Sequence, residues 1–246
     1  MSSVRLPGKV MLEVCNKSFL EHMIKRITQS KKLDSVVVAT TTNSNDDVIF
    51  NLCNSLGINC FRGSENNVLS RFKMVSDKIN SDIIVRLNAD SPTIDPMILD
   101  DTLEIFLENK YDYVATGFPP PRTFPDGFSI EVFSSKILTQ LHLEAKQTFE
   151  REHVTPYVWL QPKKFSIFRL DYEKDLSKYR LSLDYKEDYI VIKSIFENLY
   201  PKNPCFTLED IISWLEKNPE IQKINSHFRP SEGIFKSFKQ DKEAGF

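Results

Sequence analysis

The sequence lacks several features that would assign it to common protein classes. Its four cysteines, Cys15, Cys53, Cys60 and Cys205, form no CxxC pair, which disfavours a cysteine-bound metal and indicates reduced thiols. No apolar run approaches the roughly 20 residues of a membrane span, and the first residues lack the apolar region of a secretory signal. We therefore expect a cytoplasmic protein without membrane insertion.

An excess of charge of either sign is also absent. Lysine and arginine number 32 against 34 acidic residues, giving a net charge of -2, which disfavours nucleic acid as a partner but not a single nucleotide. The chain has 246 residues, of which 41% are hydrophobic, and shows no repeat or linker. We interpret 1–246 as a single domain, with 201–246 as a helical C-terminal extension.

What the sequence does contain, in its first half, is an alternation of strand and helix patterns. Short apolar runs typical of buried strands are separated by stretches with apolar residues at helical spacing. The predicted strands are 35–40, 58–61, 82–87 and 111–116, and the predicted helices are 18–29, 45–56, 68–79 and a stretch beginning at Pro96. Such alternation predicts an α/β fold with a mostly parallel sheet, helices on both faces, and ligands at the carboxyl ends of the strands.

The second half has a less regular pattern. Predicted strands are 129–133, 165–170 and 179–184, and predicted helices are 134–145, 153–160, 186–200 and 207–218. The last helix begins at an imperfect capping box, because Asp210 stands where glutamate or glutamine is usual after Thr207.

Two aspartates follow predicted strands. Asp90 comes just after the strand in "IIVRLNAD", and Asp184 ends "YRLSLD". Two strand-end carboxylates suit a magnesium–phosphate complex, since Mg²⁺ takes one or two protein carboxylates together with substrate phosphate oxygens. The alternative is that each aspartate caps the helix that follows it.

The N-terminal stretch "MSSVRLPGKV" carries two cations around a turn. Arg5 and Lys9 flank Pro7 and Gly8, and this spacing allows backbone N–H groups and both cations to face one anion. A solvated, frayed terminus is the alternative, and composition alone favours it.

A longer pattern adds a resemblance to these single motifs. The segments that carry it are "SSVRLPGKV", "VVVATTTNSNDD", "FRGSENNVLSRF", "RLNADSPTIDP", "FPDGFSIEVF", "EREHVTPY" and "LSLDYKEDYIVIKSIFENLY". In this order they resemble the spore coat polysaccharide biosynthesis protein F (SpsF) branch of the cytidylyltransferase family, which is related to the acylneuraminate and 3-deoxy-manno-octulosonate cytidylyltransferases. The resemblance implies a Rossmann-like nucleotide-diphospho-sugar transferase fold.

The resemblance also implies roles for individual residues. The family's S-x-R-L-P-x-K loop binds the nucleotide triphosphate, its strand-end arginine and aspartate and a later aspartate complete the site, and the two aspartates bind Mg²⁺. The matching residues of this chain are Ser3, Arg5, Leu6, Pro7, Lys9, Arg86, Asp90 and Asp184. Near the later aspartate the family's threonine and proline are replaced by Tyr185 and Lys186.

Further roles follow for the nucleoside and sugar sides. "FRGSENNVLSRF" implies Arg62, Ser70 and Arg71 as nucleoside-facing residues, with Asn66 and Asn67 where acidic residues are usual. On the sugar side the implied residues are Glu131, Arg151, Glu152 and His153. Arg151 could pair with a sugar carboxylate in bidentate fashion, whereas a solvated helix start with internal ion pairs is the alternative for this cluster.

The chain departs from the family pattern at its front. The family's loop follows a first, central strand ending in Ala-Arg, and this sequence begins just after the position of that arginine. We therefore expect the first central strand to be missing. Three explanations stay open: a start codon set too far downstream, a shortened chain, or a genuine loss whose gap another segment or chain fills.

The leading hypothesis is a nucleotidyltransferase that moves CMP from CTP to an acidic or modified sugar with release of pyrophosphate. The activated sugar would supply surface polysaccharide synthesis. The resemblance implies Mg²⁺ as cofactor and CTP and a sugar as partners, and leaves a homodimer open. Two alternatives remain. One is a glycosyltransferase, although its usual D-x-D is absent at "NADSP"; the other is a non-catalytic remnant acting as a binding partner.

Overall fold

A computed structural model describes Met1 and residues 3–243, so the last residues of the predicted 201–246 extension lie outside the described part. Within it the strands are β1 (Glu13–Val14), β2 (Lys17–Ser18), β3 (Val37–Thr41), β4 (Asn59–Gly63), β5 (Ile83–Arg86), β6 (Tyr113–Ala115), β7 (Glu131–Ser134) and β8 (Ile167–Arg169). The helices are α1 (Phe19–Ile27), α2 (Asp47–Ser55), α3 (Val68–Ile79), α4 (Pro96–Glu108), α5 (Ser135–Glu144), α6 (Thr148–His153), α7 (Pro156–Trp159), α8 (Lys186–Leu199), α9 (Leu208–Lys217), α10 (Pro219–Lys223) and α11 (Glu232–Glu243). The predicted α/β class is confirmed.

The strands form mixed sheets rather than a mostly parallel one. β3 and β4 pair in parallel, and β1 and β2 form a small antiparallel hairpin. The largest sheet has the order β5-β7-β6-β8, in which β6 and β8 are parallel while β7 is antiparallel to both of its neighbours. The prediction of a mostly parallel sheet is therefore corrected: β7 runs against β5 and β6, and no local pattern encodes that direction.

A cleft separates the β3–β4 pair from the larger sheet. It has a volume of about 680 Å³, with Val36–Ala39 on one side and Ile83–Ala89 on the other. Apolar side chains of α1 and α3 also line it. Among the described residues, β3 pairs only with β4 and β5 only with β7. Among these residues no strand pairs across the cleft from β3 to β5.

The helix boundaries follow from local chemistry. α1 begins where the Ser18 hydroxyl accepts a hydrogen bond of 3.2 Å from the N–H of Glu21, and its apolar side chains are buried. α4 begins at Pro96; proline has no backbone N–H, and the first position of a helix does not require one. The capping box of α9 forms in both directions despite its shorter acid: the Thr207 N–H donates to Asp210, and the Asp210 N–H donates to Thr207. None of the described helices combines the length and the apolar composition that crossing a membrane requires.

Two predicted elements differ in the structure. The predicted helix 153–160 is shorter in the structure: α6 ends at His153 and α7 covers Pro156–Trp159. The break arises because Val154 adopts a positive φ of 74° and Pro156 cannot continue the hydrogen-bonding of α6. In place of the predicted strand 179–184 the structure has an irregular segment with one isolated parallel bridge, between Arg180 and Asp126. Its backbone binds two separate loops, through Leu181 to the carbonyl of Asp126 and through Leu183 to the carbonyl of Asp90.

Candidate active site

The N-terminal loop places Lys9 between Asp90 and Asp184. Gly8 has a φ of 69°, a conformation that glycine adopts without steric cost, and Lys9 begins a short 3₁₀ turn. The Lys9 ammonium donates to Asp90 Oδ2 at 2.6 Å and to Asp184 Oδ1 at 2.8 Å. The predicted meeting of the cationic loop with both carboxylates is therefore present in the structure.

Arg5 joins the same cluster from its solvent side. Its Nη2 lies 3.0 Å from Asp184 Oδ1, and its side chain is 36% exposed, whereas that of Lys9 is 16% exposed. Lys9 thus lies at the bottom of the cluster and Arg5 at its mouth. Ser3 lies in the same loop.

A backbone hydrogen bond brings the two aspartates together. β5 ends at Arg86, and a turn closed by the Ser91 N–H on the Asn88 carbonyl follows, so Asp90 lies just beyond the strand. The N–H of Leu183 donates to the carbonyl of Asp90 at 2.8 Å, which places the next residue, Asp184, beside it. The 179–184 segment therefore positions a carboxylate although it belongs to no sheet.

A buried arginine supports Asp184 from behind. Arg180 donates to Asp184 Oδ2 at 3.1 Å and to Asp188 Oδ1 at 2.9 Å, and Asp188 is fully buried. Asp188 also accepts the backbone N–H groups of Asp184 and Tyr185, each at 2.9 Å. A third carboxylate, Asp126, accepts from Arg180 at 2.8 Å. This network fixes the backbone at Asp184.

Sequence reasoning did not identify Arg180 as part of the site. The available signal was an arginine inside an alternating apolar segment that must be buried with partners, together with acids four and eight residues later. We read that alternation only as a strand pattern.

The electrostatics keep the cluster ionised. Burial lowers the pKa of the Lys9 ammonium, but the charges of Asp90 and Asp184 outweigh burial and raise that pKa above its ordinary value. Burial raises the pKa of Asp184, and the Lys9 and Arg5 cations outweigh it, so the pKa of this carboxyl is lowered. Both shifts favour the charged forms, which are those that metal and phosphate binding require.

The donor set fits magnesium. One oxygen of Asp90 and one of Asp184 each lie within 2.8 Å of the same ammonium nitrogen, so the two oxygens converge on one cation. Carboxylate oxygens are the protein ligands that Mg²⁺ prefers, with the remaining positions taken by water and phosphate. Asp90 and Asp184 are thus the residues that would hold this metal.

The predicted nucleoside-facing residues lie around the carboxyl ends of β3 and β4. Arg62 is engaged by its own surroundings: it donates to the carbonyls of Thr41 and Asn43 and to Asp47. The Ser70 hydroxyl donates to the carbonyl of Asn67 at the start of α3. The Arg71 side chain donates to the carbonyl of Ser64 and lines the cleft, which Arg86 also lines. Nucleotide binding by these residues stays a prediction.

Arg86 and Glu131 form a buried ion pair. Arg86 Nη1 donates to Glu131 Oε1 at 2.6 Å across the β5–β7 pairing, where the two residues are partners in register. By distance and angle, Arg86 Nε and Glu131 Oε2 have no hydrogen-bond partner among the described residues; the buried Tyr113 hydroxyl is close by, and burial and the Glu131 charge raise its pKa. The pair therefore retains donor and acceptor capacity that a bound substrate could use.

The remaining predicted sugar-side residues lie on α6. His153 Nε2 is 3.2 Å from the Ser237 hydroxyl, and that hydroxyl donates to Glu152 at 3.0 Å. Burial lowers the pKa of His153; the charge of Glu152 opposes this effect, and that of Arg86 adds to it. Arg151 lies on the same short helix.

Comparisons with known proteins agree with this architecture. The family model described as cytidylyltransferase matches residues 1–223. An uncharacterised protein of Methanocaldococcus jannaschii is 38% identical over 229 residues, covering 92% of this chain and 91% of its own length. The spore coat polysaccharide biosynthesis protein SpsF of Bacillus subtilis is 31% identical over 227 residues, covering 89% of this chain and 92% of its own.

One solved structure matches this chain both in fold and in sequence. The cytidylyltransferase from Leptospira borgpetersenii serovar Hardjo-bovis superimposes with a TM-score of 0.87 at 36% identity, covering 93% of this chain and 95% of that one. The predicted resemblance and the predicted nucleotidyltransferase class are confirmed. The chain belongs to the cytidylyltransferase family.

Proposed function

We propose that this protein transfers CMP from CTP to a sugar and releases pyrophosphate. The observation that carries the proposal is the position of the Lys9 ammonium between Asp90 and Asp184, with Arg5 beside them. Two cations and two carboxylates at one point suit a triphosphate that arrives with its metal, because each charge on the ligand meets an opposite charge on the protein.

Asp90 and Asp184 would hold Mg²⁺ in this proposal. When bound, Mg²⁺ would neutralise charge on the α-phosphate and lower the pKa of the attacking sugar hydroxyl. Lys9 and Arg5 now neutralise the two aspartates. With metal and nucleotide present, their partners become the β and γ phosphate oxygens, so each cation keeps an anionic partner throughout.

The proposed transfer is an in-line substitution at the α-phosphorus. A lone pair of the sugar hydroxyl oxygen forms a bond to the α-phosphorus, and the bond from that phosphorus to the oxygen bridging to the β-phosphate breaks. Pyrophosphate leaves with that bond pair, and the hydroxyl proton is released to solvent. The chain's own part is to hold the triphosphate extended and to keep its charges neutralised.

The sugar side supports an acidic or modified sugar as acceptor. Glu131, with an unpartnered buried oxygen, and Arg86, with an unpartnered buried N–H, offer one acceptor and one donor. Arg151, Glu152 and His153 on α6 add a guanidinium suited to a carboxylate and a second polar pair. The likeness to SpsF supports a role in supplying an activated sugar for surface polysaccharide.

Turnover with a panel of sugars tests the proposal. The protein is incubated with CTP, Mg²⁺ and each of several acidic and neutral sugars, and pyrophosphate and the CMP-sugar are measured. Asp90→Ala should abolish both products while the far-ultraviolet circular dichroism is unchanged. Asp77→Ala is the matched control, since Asp77 pairs with Lys73 on the surface of α3.

Two results would contradict the proposal. An active Asp90→Ala protein removes the assigned metal ligand. A wild-type chain that binds no Mg-CTP favours the non-catalytic alternative instead.

A further inference from the structure

The C-terminal segment lies against the site and beyond the residues that the family model matches, which end at 223. We name residues 225–243 the C-terminal strap. Its first residue, Asn225, is buried and donates to Asp188 Oδ1 at 2.9 Å and to the Arg180 carbonyl at 3.0 Å. The strap therefore starts on the network that supports Asp184.

The strap ends on the helix that carries the sugar-side residues. Near its end, Asp241 accepts the buried N–H of Phe149 at 2.8 Å, and Phe238 packs edge-on against the Phe149 ring. Ser237 binds Glu152 and His153. The strap thus spans from Asp188 to α6.

Between these ends the strap contacts Tyr185, the residue after Asp184. The Tyr185 and Phe228 rings stack with centroids 3.9 Å apart and planes 6° apart. The Tyr185 hydroxyl donates to Glu232 Oε2 at 2.7 Å, and the other oxygen of Glu232 accepts the N–H of Arg229 at 3.2 Å. The ring position is therefore set by a stack and by a hydrogen bond from one segment.

The Tyr185 ring in turn contacts Arg5. The Arg5 guanidinium carbon lies 4.9 Å from the ring centroid, within the range of a cation–π contact. Its other partner is Asp184, at 3.0 Å. A second cation, Arg180, lies 5.7 Å from the same centroid but is held by three carboxylates. Among the described residues Arg5 has one carboxylate within ion-pair distance, Asp184, and the Tyr185 ring is its second close contact.

We propose that Tyr185 is a positioning residue that keeps Arg5 at the triphosphate site while Asp184 is occupied by the incoming ligand, and that the C-terminal strap holds Tyr185 in place for this task. This inference rests on the proposed function. When Asp184 binds a metal ion, its attraction for the Arg5 guanidinium becomes weaker. The ring contact is independent of that carboxylate, so Arg5 stays where the phosphates arrive.

A double-mutant cycle on Mg-CTP binding tests the inference. Calorimetric titrations are made on Tyr185→Leu, Tyr185→Phe, Arg5→Ala and the double variant Tyr185→Leu with Arg5→Ala. Tyr185→Leu should weaken binding about three- to tenfold, the range of a partly exposed cation–π contact. Tyr185→Phe, which keeps the ring, should stay within about twofold. In the Arg5→Ala background, Tyr185→Leu should cause no further loss.

A purely structural role for Tyr185 predicts the opposite pattern. The loss would then be the same with and without Arg5, and that result, or unchanged binding by Tyr185→Leu, would overturn the inference. Phe228→Leu is a second variant that keeps the Tyr185 side chain and removes its stacking partner. It should cause a smaller loss that also disappears in the Arg5→Ala background, so the test does not depend on one substitution.

The design separates this inference from the proposed function. If the wild-type chain binds Mg-CTP with the expected coupling but releases no pyrophosphate with any sugar, the proposed reaction is wrong and the positioning role stands. If the wild-type chain does not bind Mg-CTP, both are wrong. Where turnover is found, KM for CTP should rise in Tyr185→Leu by the same factor as the loss in binding, with kcat nearly unchanged.

Discussion

The backbone N–H of Leu183 donates a hydrogen bond of 2.8 Å to the backbone carbonyl of Asp90. Since this bond joins main-chain atoms, it uses neither the Leu183 nor the Asp90 side chain. It fixes Asp90 and Asp184 near one another before any metal or nucleotide arrives. The remaining repulsion between the carboxylates is relieved by Lys9.

Replacing Lys9 should change how the chain responds to magnesium. In Lys9→Met the two carboxylates lose the ammonium that lies between them, so Mg²⁺ becomes their strongest available counterion. We expect millimolar MgCl₂ to raise the melting temperature of Lys9→Met more than that of the wild type, in thermal unfolding without nucleotide. Lys25→Met is the control, since the exposed Lys25 ammonium pairs with Glu21 four residues earlier on α1, away from both aspartates.

An equal magnesium response in Lys9→Met and wild type would contradict this expectation. It would mean that Asp90 and Asp184 do not share one cation site.

Stability should depend on pH through Asp184. Burial acts to raise the pKa of this carboxyl, and Lys9 and Arg5 lower it overall. A carboxyl whose folded-state pKa is lowered contributes stability above its unfolded pKa, about 3.9, and loses it as pH falls through the folded value. Asp184→Asn should therefore be less stable than wild type by about 1–3 kcal/mol at neutral pH, and the gap should narrow below about pH 4.

Urea unfolding at pH 7, 5, 4 and 3 measures this gap. Asp77→Asn, at an exposed pair, should show a small gap at every pH. A gap for Asp184→Asn that stays constant to pH 3 would show that its charge state does not stabilise the fold.

Asp188 should be the most costly carboxylate of the site to remove. It is fully buried and accepts hydrogen bonds from Arg180, Asn225 and two backbone N–H groups. Asp188→Asn leaves the Arg180 charge buried with fewer partners, which typically costs about 3–5 kcal/mol. Glu187→Gln, one residue earlier in the same first turn, is the control and should cost below about 0.5 kcal/mol in urea unfolding. Equal losses for the two variants would contradict the assigned role of Asp188.

Local sequence patterns predicted the elements that depend on residues close together in the chain. The helical spacing of α1 and the capping box at Thr207 are readable from neighbouring residues. So is the delivery of Asp90 by the end of β5, because a buried strand followed by polar residues has a clear signature.

Long-range pairings were not predictable in this way. The antiparallel direction of β7 and the binding of 179–184 to two loops depend on partners far apart in sequence. The same holds for the stack of Tyr185 on Phe228, which joins residues that no local period relates. The role of Arg180 was not predicted because the alternating residues around it are also typical of a strand.

The cleft between β3 and β5 should be visible in hydrogen exchange. β6 has strands on both sides, whereas β3 and β5 each have one hydrogen-bonded neighbour among the described residues. Some amides of β3 and β5 should therefore exchange faster than any amide of β6. Hydrogen–deuterium exchange with mass spectrometry of peptic fragments measures this difference. Equal protection of β3, β5 and β6 would show that the cleft is closed in solution.

The most direct test of the central claim is a calorimetric titration of the wild-type chain and Asp90→Ala with CTP, each with and without Mg²⁺. The account predicts binding by the wild type that requires Mg²⁺ and is lost in Asp90→Ala, because Asp90 and Asp184 together hold the metal that the triphosphate brings. Equal affinity of the two proteins for Mg-CTP would contradict it.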